Sequence, residues 1–255
     1  MKVLVVGGTA DGRYLASELF ELGFNVIYSI AGQVRKATLP CPVITGGFTQ
    51  FGGLQSFIIE NKITHIVDAT DPFAQKMSET IARVGKVLSL CTIRFQQPPW
   101  IEKQQEYWIT ATCWTTLIQE LTKYETLFIG VGQISEALLL RLAAQTKLLL
   151  LRTAMPVKYT LPENTIWIKA LGPYQLENEI ELLKKHHVDA VISKNSGGHS
   201  TYAKIQAATE LGIPIYQFDR PQLTPLRYEF ERSSRCIEFL LTLNKSSDAG
   251  ATFHG

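Results

Sequence analysis

The stretch LVVGGTADGRYLASELFELGFNVIYSI, Leu4–Ile30, decides the fold class. An apolar run, Val3–Val6, reads as a strand and stops at Gly7-Gly8. Apolar residues then recur at helical spacing from Arg13 to Leu22, and Gly23 ends them. A second β-type run follows at Asn25–Ile30. Strand, glycine turn, helix and strand in this order form a crossover, which implies a parallel sheet. Glycine at such a turn lets the backbone bend tightly and approach a phosphate, and the helix dipole with its free amides favours the anion. The spacing Gly7, Gly8, Gly12 departs from G-x-G-x-x-G, so a tight turn without a ligand stays open beside phosphate binding.

The same alternation runs outward from this unit. Strands are expected at Pro42–Thr45, His65–Thr70 and Thr92–Phe95, and helices at Leu54–Asn61 and Ala74–Val84. The pair Pro98-Pro99 is stiff and extended, and it marks a domain boundary. Beyond it the pattern predicts strands at Thr126–Val131, Lys147–Arg152, Thr165–Lys169, Val188–Ser193 and Ile213–Phe218. Helices are predicted at Thr115–Lys123, Ser135–Ala144, Glu177–Lys185, Thr201–Leu211 and Tyr228–Leu243. The expected architecture is α/β: two Rossmann-like, doubly wound parallel-sheet domains with a cleft between them. The expected divisions are an N-terminal cofactor-binding domain over 1–97, a C-terminal substrate domain over 98–245, and a disordered tail over 246–255.

Composition excludes several classes. Of 255 residues 45% are hydrophobic, enough for a sizeable core, and a net charge of +2 does not announce a nucleic-acid binder. Cys41, Cys91, Cys113 and Cys236 form no CxxC pair, which argues against a zinc or dithiol site and fits small buried residues in a reducing cytoplasm. The histidines lack ligand spacing, so no metal site is expected. The apolar runs at the N-terminus and at Leu148–Leu151 are strand-length, too short for a signal peptide or a membrane span. The reading is a soluble cytoplasmic protein with neither nucleic acid nor membrane as partner. Its oligomeric state is left undefined, and a monomer is compatible.

Four strand ends carry polar chemistry. At the second strand, YSIAGQVRK (Tyr28–Lys36) lacks the acid that receives a ribose 2′-hydroxyl in NAD sites, and offers Ser29, Gln33, Arg35 and Lys36. That leans towards NADPH, with NADH also possible; Arg35 and Lys36 are equally well read as solvated surface. TGGF brings Gly46 and Gly47 to a close backbone approach, or to a plain loop. DATDPFA presents Thr70 and Asp71 beyond the fourth strand, with Pro72 at helix position N1 and Asp71 as an alternative N-cap. SKNSGGHSTYAK supplies Lys194, Asn195, Ser196, Gly197, Gly198, Thr201 and Lys204, an anion-receiving surface of which capping explains only one residue.

These segments, GGTADGR, SIAGQV, TGGF, DATDPFA and SKNSGGHSTYAKIQAATELGIPI with the following RP, resemble the precorrin-6A reductases of cobalamin biosynthesis, a family that includes the enzymes acting on the cobalt-containing substrate. The resemblance runs over about residues 1–221. It implies a reductase that uses a reduced nicotinamide to reduce one double bond of precorrin-6A, giving precorrin-6B or the cobalt forms. Gly7, Gly8, Thr9 and Arg13 then match the cofactor turn, Ser29 and the segment with Gln33 the ribose region, and Lys194–Gly198, Thr201 and Lys204 the substrate motif. The chain departs from the family pattern at Asp71, where His is usual, at Gln33, where Arg is usual, and at GVGQ (Gly130–Gln133), where a TGR-like end is common.

The implied partner is an anionic tetrapyrrole. Lys194, Lys204, Arg94, Arg152 and Arg220 are candidate carboxylate partners, and no catalytic residue is named. The rivals are a non-enzymatic dinucleotide-sensing module and a short-chain hydroxyl oxidoreductase. The latter needs YxxxK, whereas Tyr202 and Lys204 stand at YxK and share no helix face.

Overall fold

The computed structural model describes residues 1–31, 39–103 and 107–251. Two compact units make up the chain: residues 1–98 together with 221–255, and residues 99–220.

In the first unit the chain runs β1 (Lys2–Val6), α1 (Ala10–Glu21), β2 (Asn25–Ile30), β3 (Val43–Thr45), α2 (Leu54–Glu60), β4 (His65–Asp68), α3 (Gln75–Val87) and β5 (Cys91–Phe95). The second unit holds β6 (Trp108–Ala111), α4 (Trp114–Glu120), β7 (Thr126–Gly130), α5 (Glu136–Ala143), β8 (Leu148–Thr153) and β9 (Thr165–Lys169). It continues with α6 (Leu176–Lys185), β10 (Ala190–Lys194), α7 (Ala203–Glu210) and β11 (Ile215–Phe218). The chain then returns to the first unit with β12 (Tyr228–Phe230) and α8 (Ser233–Ala251).

Among the described residues both sheets have six strands and every pairing is parallel. The first is ordered β3-β2-β1-β4-β5-β12, the doubly wound order of dinucleotide-binding folds. The second, β9-β8-β7-β10-β11-β6, repeats it with one change: the strand in the sixth position comes before the other five instead of after them. The second unit is thus a circular permutation of the first.

Alternation along each strand splits each sheet's core in two. Val3 and Val5 of β1 face α1 and α8, with Leu15, Leu19, Cys236 and Leu240 buried there. Leu4 and Val6 face the opposite layer, where Phe57, Ile58, Ile81 and Val84 of α2 and α3 are buried. In the second unit Ile129 and Leu151 pack with α4 and α5, while Phe128 and Leu150 pack with α6 and α7. Strands covered on both faces carry the near-continuous apolar runs seen in the sequence.

Three expectations need correction. Residues 221–245 do not belong with the second unit: β12 pairs with β5, and Cys236 and Leu240 complete the first unit's core. The chain from Ser246 to Ala251 continues α8 instead of starting a tail, and residues 252–255 lie outside the described residues. Cys113 is exposed, whereas Cys41 and Cys236 are buried.

Candidate functional site

In a doubly wound sheet the strand order reverses where β1 meets β4, and ligands gather at the carboxyl ends there. In the first unit Gly7, Gly8 and Thr9 follow β1, and Ala69, Thr70 and Asp71 follow β4. The structure brings these two segments side by side. The Thr9 hydroxyl donates to the Ala69 carbonyl at 3.3 Å and accepts the Gly12 amide at 2.9 Å, capping α1. Gly12 is buried there, and a Cβ on it would stand 3.0 Å from the Ala69 carbonyl oxygen.

The Gly7 amide donates to the Ser29 carbonyl at 2.8 Å and the Gly8 amide to the Tyr28 hydroxyl at 3.1 Å. Gly7 leaves no room for a side chain, because a Cβ would overlap the Tyr28 ring. Burial pushes the Tyr28 phenol up, opposed by the Arg13 charge. Ser29 ends up buried at the end of β2. Gln33, Arg35 and Lys36 lie outside the described residues. Gly46 and Gly47 follow the edge strand β3. The Gly46 amide continues the ladder to the Ile30 carbonyl at 3.0 Å, and the Gln50 side chain donates to the carbonyls of Thr45 and Gly47.

Thr70 is buried, and its hydroxyl donates to Asp68 Oδ1 at 2.8 Å and meets the Ser78 hydroxyl at 3.2 Å. Asp71 is exposed and accepts the Phe73 amide at 2.8 Å. It closes the turn ahead of α3, which starts at Gln75 with Ala74 as N-cap, so Pro72 is not at N1 and Asp71 is not the helix cap. Arg94 is not open to a substrate carboxylate. Its side chain, 6% exposed, pairs with fully buried Asp68 at 3.4 Å and with Glu229 at 2.8 Å, and donates to the Thr224 carbonyl at 3.0 Å.

In the second unit the corresponding reversal lies between β7 and β10, and the segment Lys194–Lys204 follows β10. Most of its polar groups brace the loop itself. Asn195 is buried, with both ends of its carboxamide on the Trp100 backbone. Arg220 donates to the carbonyls of Asn195 and Ser196 at 2.9 and 2.8 Å. The Ser196 and Thr201 hydroxyls are 3.2 Å apart. Gly197 takes a φ of 76°, a left-handed conformation that a side chain would strain. Gly198 precedes a short 3₁₀ turn, and His199 on that turn is exposed.

Lys204 is 3% exposed; its ammonium donates to the Thr201 carbonyl at 2.8 Å and lies 5.0 Å over the Trp100 ring. Arg152 is likewise internal. It pairs with buried Glu179 and lies 3.9 Å from the Tyr174 ring centroid. Of the expected cations, Lys194 at the end of β10 and Arg220 are partly exposed.

The residues missed by sequence reading are those that hold the candidates in place: Tyr28, Asp68, Trp100 and Glu229. Tyr28 and Asp68 sit in strands where every neighbour is also buried, so periodicity did not single them out. Trp100 lies far from Asn195 in sequence, and only folding pairs them. Among the described residues, no group of three His, Cys, Asp or Glu could hold a metal, and no helix is long and apolar enough to cross a membrane.

Comparison with known proteins gives one consistent likeness. The family model described as Precorrin-6x reductase CbiJ/CobK matches residues 2–240. A Precorrin-6A reductase of Rhodococcus erythropolis is 30% identical over 247 residues, covering 96% of this chain and 99% of that protein. One of Mycobacterium tuberculosis (strain H37Rv) is 34% identical over 224 residues, 87% of this chain and 90% of that protein. A Cobalt-precorrin-6A reductase of Synechocystis is 27% identical over 244 residues, 88% and 90% of the two. The solved structure of a CobK precorrin-6A reductase superimposes with a TM-score of 0.86 at 28% identity, covering 95% of this chain and 96% of that one.

Proposed function

The chain belongs to the precorrin-6x reductase family, and from that premise we propose that it reduces precorrin-6A to precorrin-6B in cobalamin biosynthesis. It is an oxidoreductase acting on one double bond of an anionic tetrapyrrole, with a reduced nicotinamide as donor. The observation that carries the reading is the glycine turn at the first unit's strand reversal, where Gly7, Gly8 and Thr9 stand beside Ala69.

That turn fits a dinucleotide. Gly8 has a φ of 148° that L side chains rarely adopt, and it is exposed, so its backbone can lie close to a phosphate. The amides of Ala10 and Asp11 open α1 and have no acceptor within the helix. Arg13 adds a positive charge to the same turn. The bound nicotinamide supplies a hydride. What the chain's own residues do is hold and orient: Thr9 ties the turn to β4, and Asp68 and Thr70 fix the backbone that follows it.

We assign Ser29, Gln33, Gly46 and Gly47 to the cofactor side. Thr70, Asp71 and the segment Lys194–Gly198 with Thr201 and Lys204 go to the substrate side. In that segment Asn195, Thr201 and Lys204 act through the loop they shape, and Lys194 is the cation offered to a carboxylate. The absence of an acid after β2 supports NADPH over NADH. The metal-free substrate is favoured: a relative named Precorrin-6A reductase reaches 34% identity, against 27% for one named for the cobalt form. A cytoplasmic location fits this chemistry and the cysteine usage.

The test is turnover with the purified chain. Precorrin-6A and cobalt-precorrin-6A are each offered with NADPH and with NADH, and loss of nicotinamide absorbance is followed together with product mass. Oxidation of NADPH with gain of two hydrogens on precorrin-6A is expected. Cofactor binding without tetrapyrrole-dependent oxidation would instead support the sensing module.

A further inference from the structure

The Gly7-Gly8 pair poses a physical problem. Two adjacent glycines have wide backbone freedom, and an anion site built on them loses affinity unless something fixes their conformation before the ligand arrives. Tyr28 is placed to do so. It is fully buried in β2, with its ring against Gly7 where a side chain would otherwise stand. Its hydroxyl accepts the Gly8 amide at 3.1 Å, while the neighbouring Ser29 carbonyl accepts the Gly7 amide at 2.8 Å. Both glycine amides are therefore fastened to β2.

We propose that Tyr28 is a positioning residue for cofactor binding: its buried hydroxyl holds the Gly7-Gly8 turn in the geometry that receives the diphosphate of the reduced dinucleotide. This rests on the cofactor reading of the turn. Tyr28 does not touch the ligand. It removes the freedom of the backbone that does.

The experiment compares the full chain with its Tyr28→Phe and Tyr28→Leu variants. Dissociation constants for NADPH and NADH come from nucleotide fluorescence, and KM and kcat from precorrin-6A turnover. Phenylalanine keeps the ring and removes only the hydroxyl. Tyr28→Phe is expected to raise the cofactor Kd and KM about 3- to 10-fold, the worth of one net hydrogen bond. kcat at saturating cofactor and KM for the tetrapyrrole should stay within about two-fold. If Tyr28→Phe binds cofactor as tightly as the parent and only Tyr28→Leu weakens it, Tyr28 is a packing residue and the inference fails alone. If the parent chain binds neither nucleotide, the cofactor reading fails and takes the inference with it. Amide exchange on the unsubstituted, cofactor-free chain gives a second measurement that needs no variant to fold. A slow Gly8 amide is expected, and one exchanging as fast as an open loop overturns the proposal.

Discussion

The Asn195 carboxamide is bonded at both ends to the backbone of Trp100: Oδ1 accepts the Trp100 amide at 2.7 Å and Nδ2 donates to the Trp100 carbonyl at 3.0 Å. The pair imitates one rung of a β-ladder and ties the start of the second unit to the loop after β10. Replacing Asn195 with Ala removes both bonds and is expected to cost about 2 kcal/mol of stability. Asn195→Asp keeps the acceptor but sets a buried carboxylate oxygen against the Trp100 carbonyl, and should cost at least as much. Urea unfolding of the two variants measures this; unchanged stability with a raised tetrapyrrole KM would mean that Asn195 serves the substrate directly.

A side chain at position 7 collides with a buried ring, so Gly7→Ala should destabilise by about 1–3 kcal/mol. Combining it with Tyr28→Leu, which clears space, should cost less than the sum of the single changes, because the two positions share one volume. Thermal or urea unfolding of the four proteins closes the cycle.

Arg94 neutralises Asp68 inside the first unit, where the carboxylate has no access to water. Arg94→Met leaves that charge buried without its partner and is expected to destabilise by about 3–5 kcal/mol. Adding Asp68→Asn should recover a large part of the loss. A stable Arg94→Met protein with a raised tetrapyrrole KM would return Arg94 to the substrate.

Glu79 grips the returning chain by accepting from the Thr224 amide, at 2.7 Å, and from its hydroxyl. These bonds, side chain first, hold its carboxyl below the ordinary value of 4.5. A folded-state value lower than the unfolded one stabilises above the ordinary value, and that stabilisation is lost as pH falls through the folded value. The parent should therefore lose more stability between about pH 5 and pH 3 than Glu79→Gln or Thr224→Val, as read from urea midpoints. Parallel curves for all three would remove Glu79 from the acid response.

The resemblance read from the sequence implies arginine where this chain has Gln33. If the segment after β2 meets the 2′-phosphate, Gln33→Arg adds a charge-assisted hydrogen bond and should raise the NADPH over NADH preference about ten-fold. The ratio of kcat/KM for the two cofactors measures it; an unchanged ratio places the phosphate elsewhere.

The architecture could be read early because doubly buried parallel strands and two-faced helices leave apolar runs and 3.6-residue spacing that need no partner to be seen. Val3–Val6, Arg13–Leu22 and Asn25–Ile30 carry that signal, and the observed β1, α1 and β2 lie on them. The short edge strands β6 and β12 went unread. WITA and YEF are brief, partly exposed segments that become strands by pairing with β11 and β5. Missing β12 also misassigned the last helix to the second unit, since nothing local says which core Cys236 and Leu240 join.

For the candidate site, local sequence placed the glycine turn and the polar loop after their strands, because glycine and strand-end chemistry act over a few residues. What those polar groups face was a tertiary matter. Arg94 and Arg152 looked like open cations, yet each meets a carboxylate supplied by a different element: Asp68 on β4 and Glu229 on β12 for the first, Glu179 on α6 for the second. A buried charge must be neutralised nearby, and the partner that does so is chosen by packing across strands and layers, where separation along the chain carries no information.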